Sequence, residues 1–178
     1  MPIRPEYVEG TVLVPQPPDH RHTTVVCELH RRLRMTGCRW MGTGAGFRIG
    51  LPVEGTYALV IPDFYVLHRK PTEADEAHRK EHGGWHPIAL VDLVGEVTNT
   101  SPELDTGPKY RSYASAGVPV YVIVHCQTSR VYVHSEPVSD VDNPALSHYR
   151  TTTTTALGGK VRLPDPYPVL DTAFLLES

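Results

Sequence analysis

The sequence predicts an α/β (α+β) fold, a mixed β-sheet with two helices packed on it, and three observations lead there. Residues 57–67 and 88–97 are apolar runs of the length and β-branched content of buried strands. Val25, Val26, Leu29 and Leu33 recur at helical spacing. Further β-rich runs at 118–124, 130–134 and 148–155 follow a second helical segment, an element order that suits helices packed on a sheet.

Taken in order, residues 7–14 are rich in β-branched side chains around Gly10 and read as a strand or hairpin ended by Pro15-Gln16-Pro17-Pro18. Asp19 is placed to cap the first helix and Gly37 to stop it. Short strands at 47–49 and 57–67 come next. Residues 70–86, punctuated by Pro71, Gly83 and Gly84, read as a mobile surface loop or short helix. After the 88–97 strand, Asp105 can cap a helix with Pro108 in its first turn and Gly117 at its end. Gln127-Thr128-Ser129 joins two strands as a hairpin. Gly158-Gly159 separates residues 148–155 from a strand at 160–163, and 170–176 forms a short terminal helix or strand.

At 178 residues one domain, 1–178, is expected, and 40% hydrophobic with 21% charged residues is the composition of a folded soluble protein. No apolar stretch approaches the roughly 18 residues that span a bilayer. Met1-Pro2-Ile3-Arg4-Pro5-Glu6 lacks the apolar core of a signal peptide, so the cytoplasm is the expected compartment. Cys27, Cys38 and Cys126 form no CxxC pair and read as free thiols. A formal charge of −3 counts against a nucleic-acid partner, although His30-Arg31-Arg32-Leu33-Arg34 and His68-Arg69-Lys70 are basic clusters able to hold phosphates locally, or simply solvated surface.

The chemistry-bearing set is Asp63, Glu96 and Lys109. Asp63 closes the run Ala58-Leu59-Val60-Ile61-Pro62, and Glu96 lies within a strand that reads as buried, where a charge requires a partner. Alternation along that strand puts Asp92, Val94, Glu96 and Thr98 on one face. If Asp63 ends a neighbouring strand, its carboxylate and that of Glu96 can hold one divalent cation, magnesium or manganese. Such a cation assists phosphodiester hydrolysis, and Lys109 either helps deprotonate water, if its pKa is lowered, or stabilises developing charge. The structural alternatives are a Pro-Asp turn at Asp63, an edge strand exposing Glu96, and a surface Lys109 paired with Asp105 at i,i+4. His78, His82 and His86 would share a face of an unbroken helix as zinc ligands, but Gly83 and Gly84 break it. His22 reads as a capping or satisfied core histidine.

Pro62-Asp63, Gly95-Glu96-Val97-Thr98, Asp105, Lys109 and the block Tyr113-Ala114-Ser115-Ala116-Gly117-Val118-Pro119-Val120-Tyr121 together resemble the Uma2 family. His22 with Val25, Val26 and Leu29 looks like its first helix, and Gly159-Lys160-Val161-Arg162-Leu163-Pro164 like its closing strand. The resemblance implies a restriction endonuclease-like, PD-(D/E)xK nuclease fold: a mixed β-sheet flanked by helices, with an N-terminal hairpin and helix and additional C-terminal strands. It implies a metal-dependent endonuclease acting on DNA with Mg2+ (or Mn2+), assembled as a homodimer or higher homo-oligomer. By the same analogy Asp63 and Glu96 are metal ligands, Asp63, Glu96 and Lys109 are catalytic, and His22, Asp105 and Thr98 are accessory. Thr98 occupies the place where typical members of the fold carry a lysine, so the lysine has moved to the helix. The sequence departs from the family pattern where Thr98-Asn99 replaces a common serine and Thr11 a common acid.

Overall fold

The computed structural model describes residues 4–98 and 101–176. A five-stranded sheet is ordered β2 (Thr11–Leu13), β1 (Glu6–Val8), β5 (Thr56–Val60), β4 (Phe47–Gly50), β7 (His86–Pro87). Its first hairpin turns on Glu9 and Gly10, both at positive φ, as a tight two-residue connection demands. A six-stranded mixed sheet is ordered β11 (His148–Ala156), β10 (Arg130–Val138), β9 (Val120–His125), β8 (Val91–Thr98), β6 (Phe64–Leu67), β3 (Met41–Gly42). Here β8 runs parallel to β9 and antiparallel to β6. The short pair β12 (Lys160–Val161) and β13 (Leu170–Asp171) closes the chain, followed by a 3-10 turn at Ala173–Leu176, so the terminal segment is both strand and helical turn.

Both faces of the six-stranded sheet are covered. On one, α1 (His20–Met35) buries Val25, Val26, Leu29 and Leu33 against Leu93, Val97, Val131 and Val133. Asp19 caps it as expected, its carboxylate accepting from the His22 amide at 2.7 Å. On the other face, Val94 and Tyr121 pack with Tyr113 and Ala114 of α4 (Pro108–Ser115) and with Phe47, Ile49, Ala58 and Val60 of the smaller sheet.

Two expected elements divide. Residues 57–67 form β5 and β6, which belong to different sheets, because Pro62 has no N–H for a ladder and the two halves bury in opposite cores: Ala58 and Val60 in one, Phe64 and Val66 in the other. The expected helix capped by Asp105 is two helices, α3 (Pro102–Thr106) and α4, broken at Gly107 (φ −120, ψ −96). Pro108 disfavours helical backbone in the residue before it, so Asp105 lies within α3 and does not act as a cap. Residues 70–86 contain α2 (Glu73–Glu81), capped by a reciprocal Thr72–Asp75 box.

The strand β8 itself departs from simple alternation. A register shift opposite Val66 and Leu67 turns Asp92 away from the Glu96 face, and Tyr167 donates to its carboxylate at 2.6 Å from the α1 side. Gly95 is required by packing, since Phe64, its cross-strand partner, lies flat on its backbone and a Cβ would sit 1.9 Å from the ring. Gly95→Ala is therefore expected to destabilise the protein by about 2–3 kcal/mol, read as a lower urea midpoint with unchanged slope.

Candidate active site

Glu96 is on a central strand and 3% exposed, which rules out the edge-strand alternative. Its Oε1 accepts from the Tyr113 hydroxyl at 2.9 Å and from Lys109 Nζ at 3.1 Å. Lys109 stands in the first turn of α4, where the break at Gly107 aims it inward, and at 6% exposure it is no surface lysine. Its ammonium also meets Glu6 Oε1 at 3.1 Å and Asp105 Oδ1 at 3.8 Å. The pairing with Asp105 predicted from i,i+4 spacing is present, but as one edge of a buried cluster.

Glu6 is the member that sequence reasoning missed. It begins β1, one residue before the expected strand, and points inward with Val8; its Oε1 also accepts from the Ile61 amide at 2.6 Å. The available signal was an acid two residues from an inward-facing Val8.

Asp63 lies in the link between the two sheets, next to Phe64, and the Phe64–Gly95 pairing sets it beside Glu96. Its Oδ2 accepts from the Val97 amide at 2.7 Å and from His22 Nε2 at 3.0 Å. Asp63 stands at a bend between β5 and β6. His22 comes from the first turn of α1, and its Nδ1 is buried with no hydrogen-bond partner among the described residues. Thr98, two residues beyond Glu96, buries its Oγ1 near the Asp105 carboxyl, which it helps to hold down against burial. Asn99 lies outside the described residues.

The electrostatics follow from crowding carboxylates in a dry place. Burial alone would drive the proton off Lys109, but Glu96, Glu6, Asp105 and Asp63 outweigh it and hold the pKa above its ordinary value. A lowered pKa, the condition for Lys109 to act as a base, is not met; the ammonium is a fixed positive charge. Burial pushes Glu96 well up despite Lys109, and pushes Asp105 up to about 6, with Lys109 opposing and Asp63 and Glu6 adding to the rise. His22 is raised by its hydrogen bond to Asp63 against the opposing effect of burial.

One ammonium facing several carboxylates leaves negative charge uncompensated, the condition that favours a further cation. Asp63 Oδ1 and Glu96 Oε2 accept no hydrogen bond among the described residues, and both are hard oxygen donors. Among the described residues no three His, Cys, Asp or Glu side chains are arranged to hold a metal by themselves. Two hard oxygens of this kind are what Mg2+ or Mn2+ would take from the protein, since these ions bind one or two carboxylates and complete their shells with water and phosphate oxygens.

Other candidates fall away. His78 and His82 stack at 4.0 Å at the end of α2, whereas His86 sits on β7 against Phe47, so the three do not converge. The basic clusters are largely consumed internally: Arg31 and Arg32 bind Glu28 at 2.6 and 2.9 Å, Arg34 binds the Arg39 carbonyl, and Arg69 binds Asp75 at 2.5 Å. Cys27, Cys38 and Cys126 are free, and no described helix is long and apolar enough to cross a membrane.

The model of the Uma2 family, described as "Putative restriction endonuclease", matches residues 1–172. Among solved structures, the chain is similar to a putative nuclease belonging to DUF820 from Anabaena variabilis ATCC 29413, with a TM-score of 0.65 at 14% identity, over 98% of this chain and 90% of that one. That likeness concerns the fold. No curated protein matches.

The Asp105 shift has a direct consequence for stability. Between the ordinary carboxyl value of 3.8 and about 6 the folded state holds a proton that the unfolded chain has released. Its contribution is complete below about pH 4 and is lost as pH rises through 6, of order 2–3 kcal/mol. Chemical denaturation of wild type and Asp105→Asn across pH 4–7 should show the wild type losing this increment relative to the variant as pH rises.

Proposed function

The chain belongs to the Uma2 family, and we propose that it is a single-domain, cytoplasmic, metal-dependent endonuclease that hydrolyses DNA phosphodiester bonds at the Asp63–Glu96–Lys109 site. The observation that carries this reading is the buried Lys109–Glu96 pair on a central strand, with Asp63 beside it and more carboxylates than one ammonium balances. Perturbed carboxylates around a fixed charge are the usual mark of a site built for charged chemistry.

In this reading Asp63 and Glu96 hold Mg2+ (or Mn2+). When bound, that cation offsets the negative charge gathering on the phosphoryl oxygens and favours a nucleophilic water. The chain's own residues do the positioning. The Val97 amide and His22 fix Asp63 Oδ2, so that carboxylate is already oriented before substrate arrives. Tyr113 and Lys109 anchor Glu96 Oε1 in the same way. Lys109, pinned between Glu6 and Glu96, offers a permanent ammonium to the phosphate oxygens as their charge grows, a stabilisation that strengthens in a dry site. Asp105, beside Lys109, and Thr98, beside Asp105, are the accessory groups. The assembly the family resemblance implies is a homodimer.

Supercoiled plasmid and single-stranded DNA with Mg2+, Mn2+ or EDTA test the proposal. Metal-dependent nicking should fall by roughly 100-fold or more in Asp63→Ala, Glu96→Ala and Lys109→Ala. Mg2+ or Ca2+ should raise the melting temperature of wild type and of Lys109→Ala but not of Asp63→Ala, because a ligand stabilises only the state that binds it. A wild type that neither cleaves nor gains stability from metal would favour a non-catalytic nucleic-acid or protein-binding member of the fold, to which the internally paired basic clusters already lend some weight.

A further inference from the structure

The open edge of the six-stranded sheet is β11, nine residues long and joined to β10 on one side only among the described residues. Beyond an irregularity at Glu136, which leaves Arg150 without a cross-strand partner, residues 151–156 pair regularly with 130–135. The free edge here is Thr151-Thr152-Thr153-Thr154-Thr155, of which Thr152, Thr153 and Thr154 are exposed. Soluble proteins normally guard such an edge with lysine, proline, a bulge or a covering element. This stretch has no charge and no proline, and threonine is among the best strand formers.

We propose that β11 is a self-pairing surface, on which a second copy of this chain adds its own β11 antiparallel about a two-fold axis at Thr153, joining the two six-stranded sheets. Identical antiparallel strands pair only isologously, and this sequence suits such an arrangement. Threonine would oppose threonine throughout, a favourable cross-strand pair, and Arg150 would oppose the partner's Ala156, so no like charges meet. The ends match as well. Leu146, 62% exposed, precedes β11, and Leu176, 70% exposed, lies over Gly158 just after it. Pairing about Thr153 sets His148 of one copy across from Gly158 of the other, which brings Leu146 toward the partner's Leu176 at both ends. This assignment is independent of the nuclease reading.

Sedimentation equilibrium of the full chain over a range of concentrations tests it. Wild type should be dimeric. Thr153→Lys, which sets like charges opposite each other, and Leu176→Lys should each weaken the dimer by about tenfold or more, at unchanged far-UV circular dichroism. Thr153→Val should leave the dimer intact. A wild type monomeric at every concentration would overturn the proposal and leave the edge to a foreign strand. A dimer indifferent to both lysine variants would overturn it in favour of another surface.

Discussion

The ammonium of Lys109, held out of water among Glu6, Glu96 and Asp105, is the constraint on which the rest of this structure depends. A charge so buried persists only when opposite charges meet it from several directions, and each of those directions is a different part of the chain. Glu6 brings the N-terminal hairpin, Glu96 the central strand, Asp105 the short helix before the break. The smaller sheet is held to the larger one partly through this polar knot, with Ile61, in the link between sheets, donating to Glu6. Removing one partner would leave a buried charge facing the wrong neighbours.

That arrangement also explains why the site is polarised without being balanced. Burial, with the neighbouring carboxylates adding to it against Lys109, lifts Glu96 and Asp105 above their ordinary range, so the folded protein favours protons, or another cation, at this point. Stability is thereby held below its maximum once pH rises through about 6, where Asp105 ionises. Functional sites commonly carry such strain, and it is the same surplus of charge that suits the proposed metal. The oxygens already bonded are Asp63 Oδ2 and Glu96 Oε1, and in the proposed site the other two would be the ones to meet the metal.

The parts of the fold that follow local rules were legible. Asp19 capping α1, the apolar stripe of Val25, Val26, Leu29 and Leu33, the Gly10 turn and the Gln127–Ser129 hairpin all depend on residues within a turn or two of each other. Readings failed where a non-local partner decided the outcome. Residues 57–67 look like one strand until the two cores pull Val60 and Phe64 to different sheets. Asp92 should share a face with Glu96 by alternation, yet a register shift against β6 turns it to Tyr167.

What the sequence by itself supplied is the residues proposed for the site, Asp63, Glu96 and Lys109 with His22, Asp105 and Thr98, most of the helices and strands, and the family pattern that orders them. Tertiary structure alone decided that Glu96 lies on a central strand, that Lys109 faces inward, and that Glu6 joins them from the far end of the chain. The physical reason is that a side chain's charge state and partners depend on burial and on neighbours distant in sequence, whereas caps, periodicity and turns depend on neighbours along it.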